Sequence, residues 1–172
     1  MSEIGNLAED ITGPARRAWI EHTQILLGSY ERLLGRPLIA RTGNPAQDAR
    51  CLFEASFAVL SHGTQADPIL NYANRIALAL WETTPEKLMA MPSRDTAEPL
   101  LHEAREKLLV QVSRQGFISG YEGVRISATG RRFLIKNVTI WNLSDAQGRS
   151  AGQAATFDTW HDLDRTGDLD AK

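Results

Sequence analysis

The order of helical and β-rich segments along the chain predicts an α+β fold, with helices gathered on one side of an antiparallel sheet. Apolar residues recur at helical spacing in the first part of the chain, whereas three segments after Gly116 are rich in β-branched and aromatic residues. A chain of 172 residues is long enough to bury a hydrophobic core. We therefore expect one domain with short additional segments at its ends.

The first element is an amphipathic helix. Residues 1–13 are polar and are expected to form a flexible tail. The segment 14–36 then begins with a proline, which suits a first helical turn, and ends at Gly35, which suits a helix end. Its apolar stripe includes Trp19, Leu26, Tyr30 and Leu33. These features predict a helix over about 15–34.

Short elements follow a linker that is rich in proline and glycine. The pattern predicts a short helix at about 46–54, short strands at 57–60 and 68–72, and helices at 74–81 and in TTPEKL. The polar cluster SHGTQADP separates the two strands. It is expected to be the connection between them.

A longer helix and three strands complete the predicted order. In PSRDTAEP, Asp95 and Glu98 have the spacing of a capping box, which predicts a helix from about 96 to 114. The apolar face of this helix is expected to contain Leu100, Leu101, Ala104, Leu108 and Val112. GFISGYEGVRIS, RRFLIKNVTIWNL and AGQAATFDTW are then separated by turn sequences and predict an antiparallel meander. Residues 162–172 are expected to be an acidic tail.

Composition excludes several classes of function. The net charge of −2 gives no electrostatic footprint for nucleic acid. Cys51 is the only cysteine, which excludes an intrachain disulfide and a cysteine-rich metal site, so a reducing, cytoplasmic setting is expected. The longest apolar run, IALALW, is too short to span a bilayer, and the first residues lack the pattern of a signal peptide.

Several motifs occur in an order that resembles a known family. SHGTQADPILNYAN, PSRDTAEP, GFISGYEGVRISATGRRFLIKNVTIWNL and GQAATF make the chain similar, from about Trp19 to Trp160, to the stand-alone bacterial members of the MEKHLA domain family. That family is related to PAS domains. The resemblance implies a PAS-like five-stranded antiparallel sheet with helices on one face over residues 37–161, preceded by the N-terminal helix. It also implies a role in sensing, signalling or protein interaction.

Residues within these motifs are the candidate ligand contacts. In a PAS-like fold many of them converge on the helix-covered face of the sheet or its rim, where they would bind a small organic molecule. The arginines favour an anion, because guanidinium groups bind carboxylates or phosphates through paired hydrogen bonds. The alternative is internal ion pairing, such as Arg94–Glu98 or Arg105–Glu98. The candidates are His62, Asp67, Tyr72, Asn74, Arg94, Glu98, Arg105, Tyr121, Arg125, Arg132, Trp141 and Gln153.

His62 has a functional and a structural interpretation. It could act as a general base or ligand contact oriented by Asp67. Alternatively, Ser61, His62 and Thr64 cap a tight turn that Gly63 permits. An enzyme acting on a small acidic substrate would need His62, Asp67 and Arg94 to converge. The sequence contains no G-x-S-x-G motif, and we do not expect an enzyme.

No metal, haem or flavin is expected, and the identity of the ligand stays open. The four histidines are scattered along the chain without a metal-binding spacing. Where PAS domains bind haem, the axial histidine lies on the long helix. His102 of that helix is expected to point away from its apolar face, with Glu98 as a partner. Cys51, in RCLFEAS, does not match the Asn-Cys-Arg-Phe motif of light-sensing PAS domains.

The N-terminal helix is the candidate dimer interface. Its stripe of Trp19, Leu26, Tyr30 and Leu33 could pack on the chain's own sheet, but aromatic residues are enriched at interfaces and PAS proteins commonly dimerise through such a helix. We therefore expect a homodimer, or action through a protein partner. The alternative function is a structural adaptor with a filled core and an exposed apolar patch.

Overall fold

The computed structural model of the protein describes residues 12–98 and 101–163. The predicted tails at 1–13 and 162–172 lie mostly outside these residues, as does Leu100 of the predicted helix face. The described helices are α1 (Gly13–Leu34), α2 (Pro45–Phe53), α3 (Arg75–Leu80), α4 (Pro85–Leu88) and α5 (His102–Gln115), with a 3₁₀ turn at Ser93–Thr96. The strands are β1 (Ala58–His62), β2 (Leu70–Ala73), β3 (Phe117–Ile126), β4 (Arg132–Ser144), β5 (Ser150–Phe157) and β6 (Thr159–Asp162).

The strands form one antiparallel sheet in the order β2-β1-β5-β4-β3. The two early strands thus join the three late ones, as predicted. β6 pairs with the first half of β4 in the same register in which β5 pairs with the second half. β5 and β6 are therefore one strand with an interruption at Asp158, which lies opposite Asn137, a residue with φ of 52°.

This interruption shifts the alternation of side chains in both strands together. On β4, Phe133 and Ile135 pack into the same hydrophobic cluster as Val138 and Ile140. The first two have odd numbers and the last two have even numbers, so a regular strand would place the two pairs on opposite faces. Phe157 and Trp160, on either side of Asp158, also join that cluster. Since strand side chains normally alternate between faces, the paired irregularity keeps both halves of each strand pointing into one core.

Helices cover both faces of the sheet. On one face, α3, α4 and α5 enclose a core centred on Trp81, Phe133 and Phe157, whose rings meet edge to face. On the other face, α1 packs against Trp141. The α+β prediction with an antiparallel sheet and an N-terminal helix is confirmed, and the structure adds that the N-terminal helix covers the second face.

The docking of α1 removes two residues from the predicted dimer interface. Leu26 is fully buried and Tyr30 is 5% exposed, and the Tyr30 ring packs edge to face on Trp141 with ring centroids 5.1 Å apart. Trp19 and Leu33 are half-buried in the same intramolecular contacts. The alternative that the helix packs on its own sheet therefore describes this structure, and Leu26 and Tyr30 are not available to a second copy.

The segment before α5 differs from its prediction. Ser93–Thr96 forms a separate 3₁₀ turn, closed by the Thr96 hydroxyl, which donates to the Ser93 carbonyl at 2.8 Å. α5 begins only at His102. Its buried side is set by Leu108, Leu109 and Val112, whereas Ala104 is exposed. Arg105, a predicted ligand contact, lies toward the sheet and lines the space between the sheet and α5.

Candidate ligand-binding site

A cavity of about 50 Å³ lies between the sheet and α5. Its wall is mostly apolar and is formed by side chains of β1, β2, β4, β5 and α5, together with Trp81, which directly follows α3. Polar side chains enter it from β1, the 3₁₀ turn, α5, β3 and β5, which belong to distant parts of the sequence. These polar residues include His62, Ser93, Thr96, Arg105, Arg125 and Gln153.

His62 is the last residue of β1 and is 8% exposed. Its Nδ1 lies 2.9 Å from the Gly63 carbonyl oxygen, which accepts a hydrogen bond from it, while Nε2 is buried without a partner among the described residues. Burial lowers the pKa of His62, and the charge of Arg105 lowers it further, whereas the hydrogen bond to Gly63 and the nearby side chain of Gln153 raise it. The ring is therefore neutral at pH 7, with its proton on Nδ1.

A glycine on the neighbouring strand permits the position of His62. Gly152 of β5 has φ of 113°, and a Cβ at this residue would overlap the His62 carbonyl oxygen. Only glycine adopts this backbone conformation without strain and leaves room for the approach. The closeness of β5 to β1 then sets Gln153 opposite His62 in the sheet.

Two arginines face the same cavity. Arg105 is half-buried and donates from Nη2 to the Ser93 hydroxyl. Burial and the nearby charge of Arg125 together lower the pKa of Arg105 to about 10, so the group is still charged at pH 7. Arg125 is 7% exposed, donates to the Val124 carbonyl at 2.8 Å and lies 5.6 Å from the centre of the Tyr121 ring.

Neither guanidinium lies within 4.0 Å of a carboxylate in the described part of the chain. Other arginines do have such partners, namely Arg41, Arg94, Arg131, Arg132 and Arg149. The predicted alternative pairs with Glu98 are wrong, because Glu98 binds Arg132 and Arg94 binds Asp67 at 2.8 Å. Arg105 and Arg125 therefore bring positive charge to the cavity without an ion-pair partner among the described residues, although the charge of Glu106 favours that of Arg105 from a greater distance.

Gln153 connects the cavity wall to α5. Its Nε2 lies 3.0 Å from the Leu109 carbonyl oxygen, 3.1 Å from the Ser113 hydroxyl and 3.0 Å from Asn142 Oδ1. His62, Leu109 and Gln153 line not only the cavity but also an open groove of about 560 Å³ on the outside. These three residues form the wall between the two spaces.

Four of the twelve predicted contacts line the cavity: His62, Arg105, Arg125 and Gln153. Whether they bind a ligand stays a prediction. Ser93 and Thr96 also line it but are not among the predicted contacts, which include only Arg94 and Glu98 from PSRDTAEP. The two hydroxyl residues on either side of Arg94 and Asp95 are the available signal in that motif.

The other eight predicted contacts do not line this cavity, and whether any of them contacts a ligand stays a prediction. Tyr72 and Trp141 lie in the cluster on the opposite face of the sheet. Asn74 is buried as the N-cap of α3, and Tyr121 lies against Arg125. The remaining four form the surface ion pairs Asp67–Arg94 and Glu98–Arg132.

The arrangement also bears on catalysis. His62 is buried at the cavity, whereas the side chains of Asp67 and Arg94 are about half exposed and bind each other. Neither Asp67 nor Arg94 lines the cavity or the groove that His62 lines. The three side chains required for an enzyme of the predicted type therefore share no common site.

A family model described as the MEKHLA domain matches residues 20–162. The match covers most of the chain and includes every residue of the cavity wall. The chain belongs to the MEKHLA domain family. None of the curated proteins compared with its sequence matches it.

Solved structures similar to this MEKHLA domain are PAS and light-oxygen-voltage domains. The PAS domain of a protein from Colwellia psychrerythraea is 17% identical with a TM-score of 0.57, covering 68% of this chain and 94% of that one. A light-oxygen-voltage domain from a study with a flavin analogue is 16% identical, with a TM-score of 0.53 and coverage of 68% and 84%. The light-state dimer of the fungal photoreceptor Vivid is 17% identical, with a TM-score of 0.50 and coverage of 76% and 91%. These similarities establish the fold.

The cavity of this MEKHLA domain does not fit a flavin or a haem as it stands. Sites for drug-sized ligands and cofactors usually measure roughly 300–1,000 Å³, whereas this cavity measures about 50 Å³. Cys51 lies on α2 and does not line it. His102 does not line it either, and its Nε2 lies 3.1 Å from the Ala97 carbonyl oxygen rather than near Glu98.

Two other features of the MEKHLA domain concern metals and membranes. Within residues 12–98 and 101–163, no three His, Cys, Asp or Glu side chains are grouped so that they could hold a metal ion. None of the helices in these ranges combines the length and apolar character needed to cross a bilayer.

Proposed function

We propose that this MEKHLA domain is a sensory domain that binds a small molecule in the cavity between the sheet and α5, and that occupancy alters its contact with a second copy or a protein partner. The observation that supports this most strongly is the unpaired arginine pair in the cavity. Burying a charged group without a partner is costly. Because neither arginine forms an ion pair within the described residues, a bound anion is the partner that would offset this cost.

The helix α5 is the element through which occupancy would act. It contributes Arg105, Leu108 and Leu109 to the cavity wall, and its far side is exposed, with Val110 50% accessible. A ligand held by Arg105 and by the sheet would favour one position of α5. Such a shift requires that the ligand bind one state of the protein more tightly than the other.

A thermal-shift screen of small metabolites tests ligand binding. We expect some compounds to raise the melting temperature of the wild type, because a ligand that binds only the folded state stabilises it. Ala155→Leu is the matched variant, since Ala155 lines the cavity and is half-buried. A larger side chain there should fill the space and abolish the shift. Leu108→Phe provides a second filled variant if Ala155→Leu is poorly folded.

Native mass spectrometry and light scattering test whether ligand binding changes association. Both are measured with and without a compound that stabilises the wild type. We expect a change in the fraction of dimer, or in binding to a partner, that the filled variants do not show. The proposal fails if no compound stabilises the wild type. It also fails if the filled variants are stabilised as strongly as the wild type.

A further inference from the structure

We propose that the ligand of this cavity is a compact oxyanion that also carries a hydroxyl group, such as a short hydroxy acid or an inorganic anion like hydrogencarbonate or dihydrogenphosphate. This inference rests on the proposed function, because it names the class of ligand for the same cavity. The charge, the hydrogen-bonding groups and the size of the cavity each restrict the ligand.

The charge of the cavity selects an anion. Arg105 and Arg125 both line it, and the charge of each disfavours the charge of the other. In the described residues no carboxylate lies within 4.0 Å of either group. An oxyanion between them would replace their mutual repulsion with attraction, and its apolar surroundings would strengthen both interactions.

The N–H groups of Arg105 and Arg125 that have no partner favour a ligand with several oxygen acceptors. A guanidinium has five N–H groups arranged to meet planar oxyanions. Among described residues, Arg105 donates to the Ser93 hydroxyl and Arg125 to the Val124 carbonyl, and no other hydrogen bond of either side chain is present. Most of their donors are therefore available to a ligand. Lysine would supply the charge without this fork-shaped arrangement.

His62 adds the requirement for a hydroxyl group. Because its Nδ1–H donates to the Gly63 carbonyl, the neutral ring offers only an acceptor at Nε2. That atom is buried and has no donor among the described residues. A carboxylate without a hydroxyl group has only acceptor oxygens and would be repelled by the lone pair of Nε2. A hydroxyl group of the ligand would instead donate a hydrogen bond to Nε2. An anion with an O–H group thus matches both His62 and the arginines.

The size of the cavity limits the ligand to a few heavy atoms. A water molecule needs roughly 10–15 Å³ of such space, so a cavity of about 50 Å³ holds on the order of four water-sized groups. Hydrogencarbonate and glycolate are of this size. A longer hydroxy acid would have to pass His62, Leu109 and Gln153 and extend into the outer groove, which these residues also line.

Isothermal titration and thermal shift with defined anions test the inference. The probes are sodium glycolate, lactate, hydrogencarbonate and phosphate, with acetate and nitrate as oxyanions that lack a hydroxyl at neutral pH. All are compared with sodium chloride at equal ionic strength. We expect at least one hydroxyl-bearing anion to bind, and glycolate to bind more tightly than acetate. Binding of lactate or glycolate alone would assign the site to organic acids, and binding of phosphate or hydrogencarbonate alone to inorganic anions.

Charge variants show whether binding occurs in this cavity. Arg105→Gln and Arg125→Gln should each weaken binding by about 30-fold or more, because each leaves the anion with one guanidinium. Arg94→Gln is the control, since it removes a surface arginine that pairs with Asp67 and does not line the cavity. Without an anion, Arg105→Gln should melt no lower than the wild type, because the buried positive charge and its repulsion are gone. With the anion, it should melt lower.

Several results would overturn the inference. One is the absence of any stabilisation beyond sodium chloride, and another is unchanged binding by both arginine variants. Equal binding of acetate and glycolate would refute the role of His62. If neutral compounds stabilise the wild type but not Ala155→Leu, the anion inference fails while the proposed function stands. If neither anions nor neutral compounds stabilise it, both fail.

Discussion

The side chain of Asn74 joins three segments of the chain through four hydrogen bonds. Its Oδ1 accepts from the backbone N–H of Val59 and of Ala77, and its Nδ2 donates to the carbonyls of Leu52 and Phe57. Asn74 is fully buried. It therefore fixes the start of α3 relative to β1 and α2, although the sequence pattern had indicated a ligand contact.

Replacing Asn74 should strongly reduce stability. Asn74→Ala leaves buried backbone groups without partners, and we expect a loss of about 3 kcal/mol or more in the free energy of unfolding. Asn44→Ala is the matched control, because Asn44 is an exposed N-cap of α2 that accepts from Ala46 and Gln47. A loss of about 1 kcal/mol is expected there. Urea denaturation measures both, and equal losses would contradict the proposed role of Asn74.

Single residues in the family motifs were harder to assign than the fold. Residue type predicts that a side chain can bind an anion, but only packing decides whether its partner is a ligand or a neighbour. Arg94 and Arg132 form ion pairs with Asp67 and Glu98, whereas Arg105 forms no ion pair among the described residues. The sequence contains no signal that separates these cases, because the partners are up to 34 positions apart along the chain.

At the level of elements, periodicity predicted the helices and strands well but not their exact rotation. The predicted apolar face of α5 includes Ala104, whereas the structure exposes Ala104 and packs Leu108, Leu109 and Val112 against the core. The face was misassigned because the 3₁₀ turn was taken as part of the same helix. A shift of one residue in a helix rotates its face by about 100°.

The approach of β5 to β1 depends on Gly152. Gly152→Ala should lower the free energy of unfolding by about 3 kcal/mol or more, since it adds an overlap with the His62 carbonyl to an unfavourable backbone conformation. Gly148→Ala is the control, because Gly148 also has a positive φ, of 77°, but has open space around its Cβ position. Chemical denaturation should give only about 1 kcal/mol for Gly148→Ala. Similar losses of unfolding free energy in the two variants would contradict this prediction, because they would mean that the strands move apart to accommodate the new methyl group at residue 152.

For the molecule as a whole, the main correction concerns the position of α1. The sequence predicted an amphipathic helix correctly but could not decide which surface it covers, because the same stripe suits an intramolecular or an intermolecular contact. The composition of the second face of the sheet explains why α1 packs there. Val59, Trp141 and Leu143 are apolar and need a cover, and α1 provides it.

A half-buried histidine connects α1 to the sheet. His22 Nε2 lies 2.9 Å from the Ser61 hydroxyl, which donates to Asn71 Oδ1 and so accepts from His22. The His22 ring also lies against Tyr72, with centroids 5.9 Å apart. Burial lowers the pKa of His22 to about 4. Protonation of this residue is therefore resisted in the folded state.

The stability of the molecule should fall in mildly acidic solution. Between pH 6.5 and about 4 the unfolded chain binds a proton at His22 that the folded chain does not, so stability decreases as pH falls through this window. The loss reaches at most about 3 kcal/mol. Urea denaturation from pH 7 to 4 measures it. His22→Gln should reduce this dependence and leave the part that comes from His62, whose pKa is also lowered, whereas His161→Gln, at an exposed residue, is the control. Identical slopes in all three proteins would contradict this assignment.

The paired interruption of β4 and β5–β6 has a consequence for how related sequences can differ in length. Removing only one of the two residues, Asn137 or Asp158, would leave the other without a residue opposite it and would shift the pairing of β4 with β6 by one residue. Removing both would keep the ladder in register, and regular alternation would then keep Phe133, Ile135, Val138 and Ile140 on one face. Descendants of this chain can therefore exchange the amino acids at these two sites, but we expect them to lose the two residues only together.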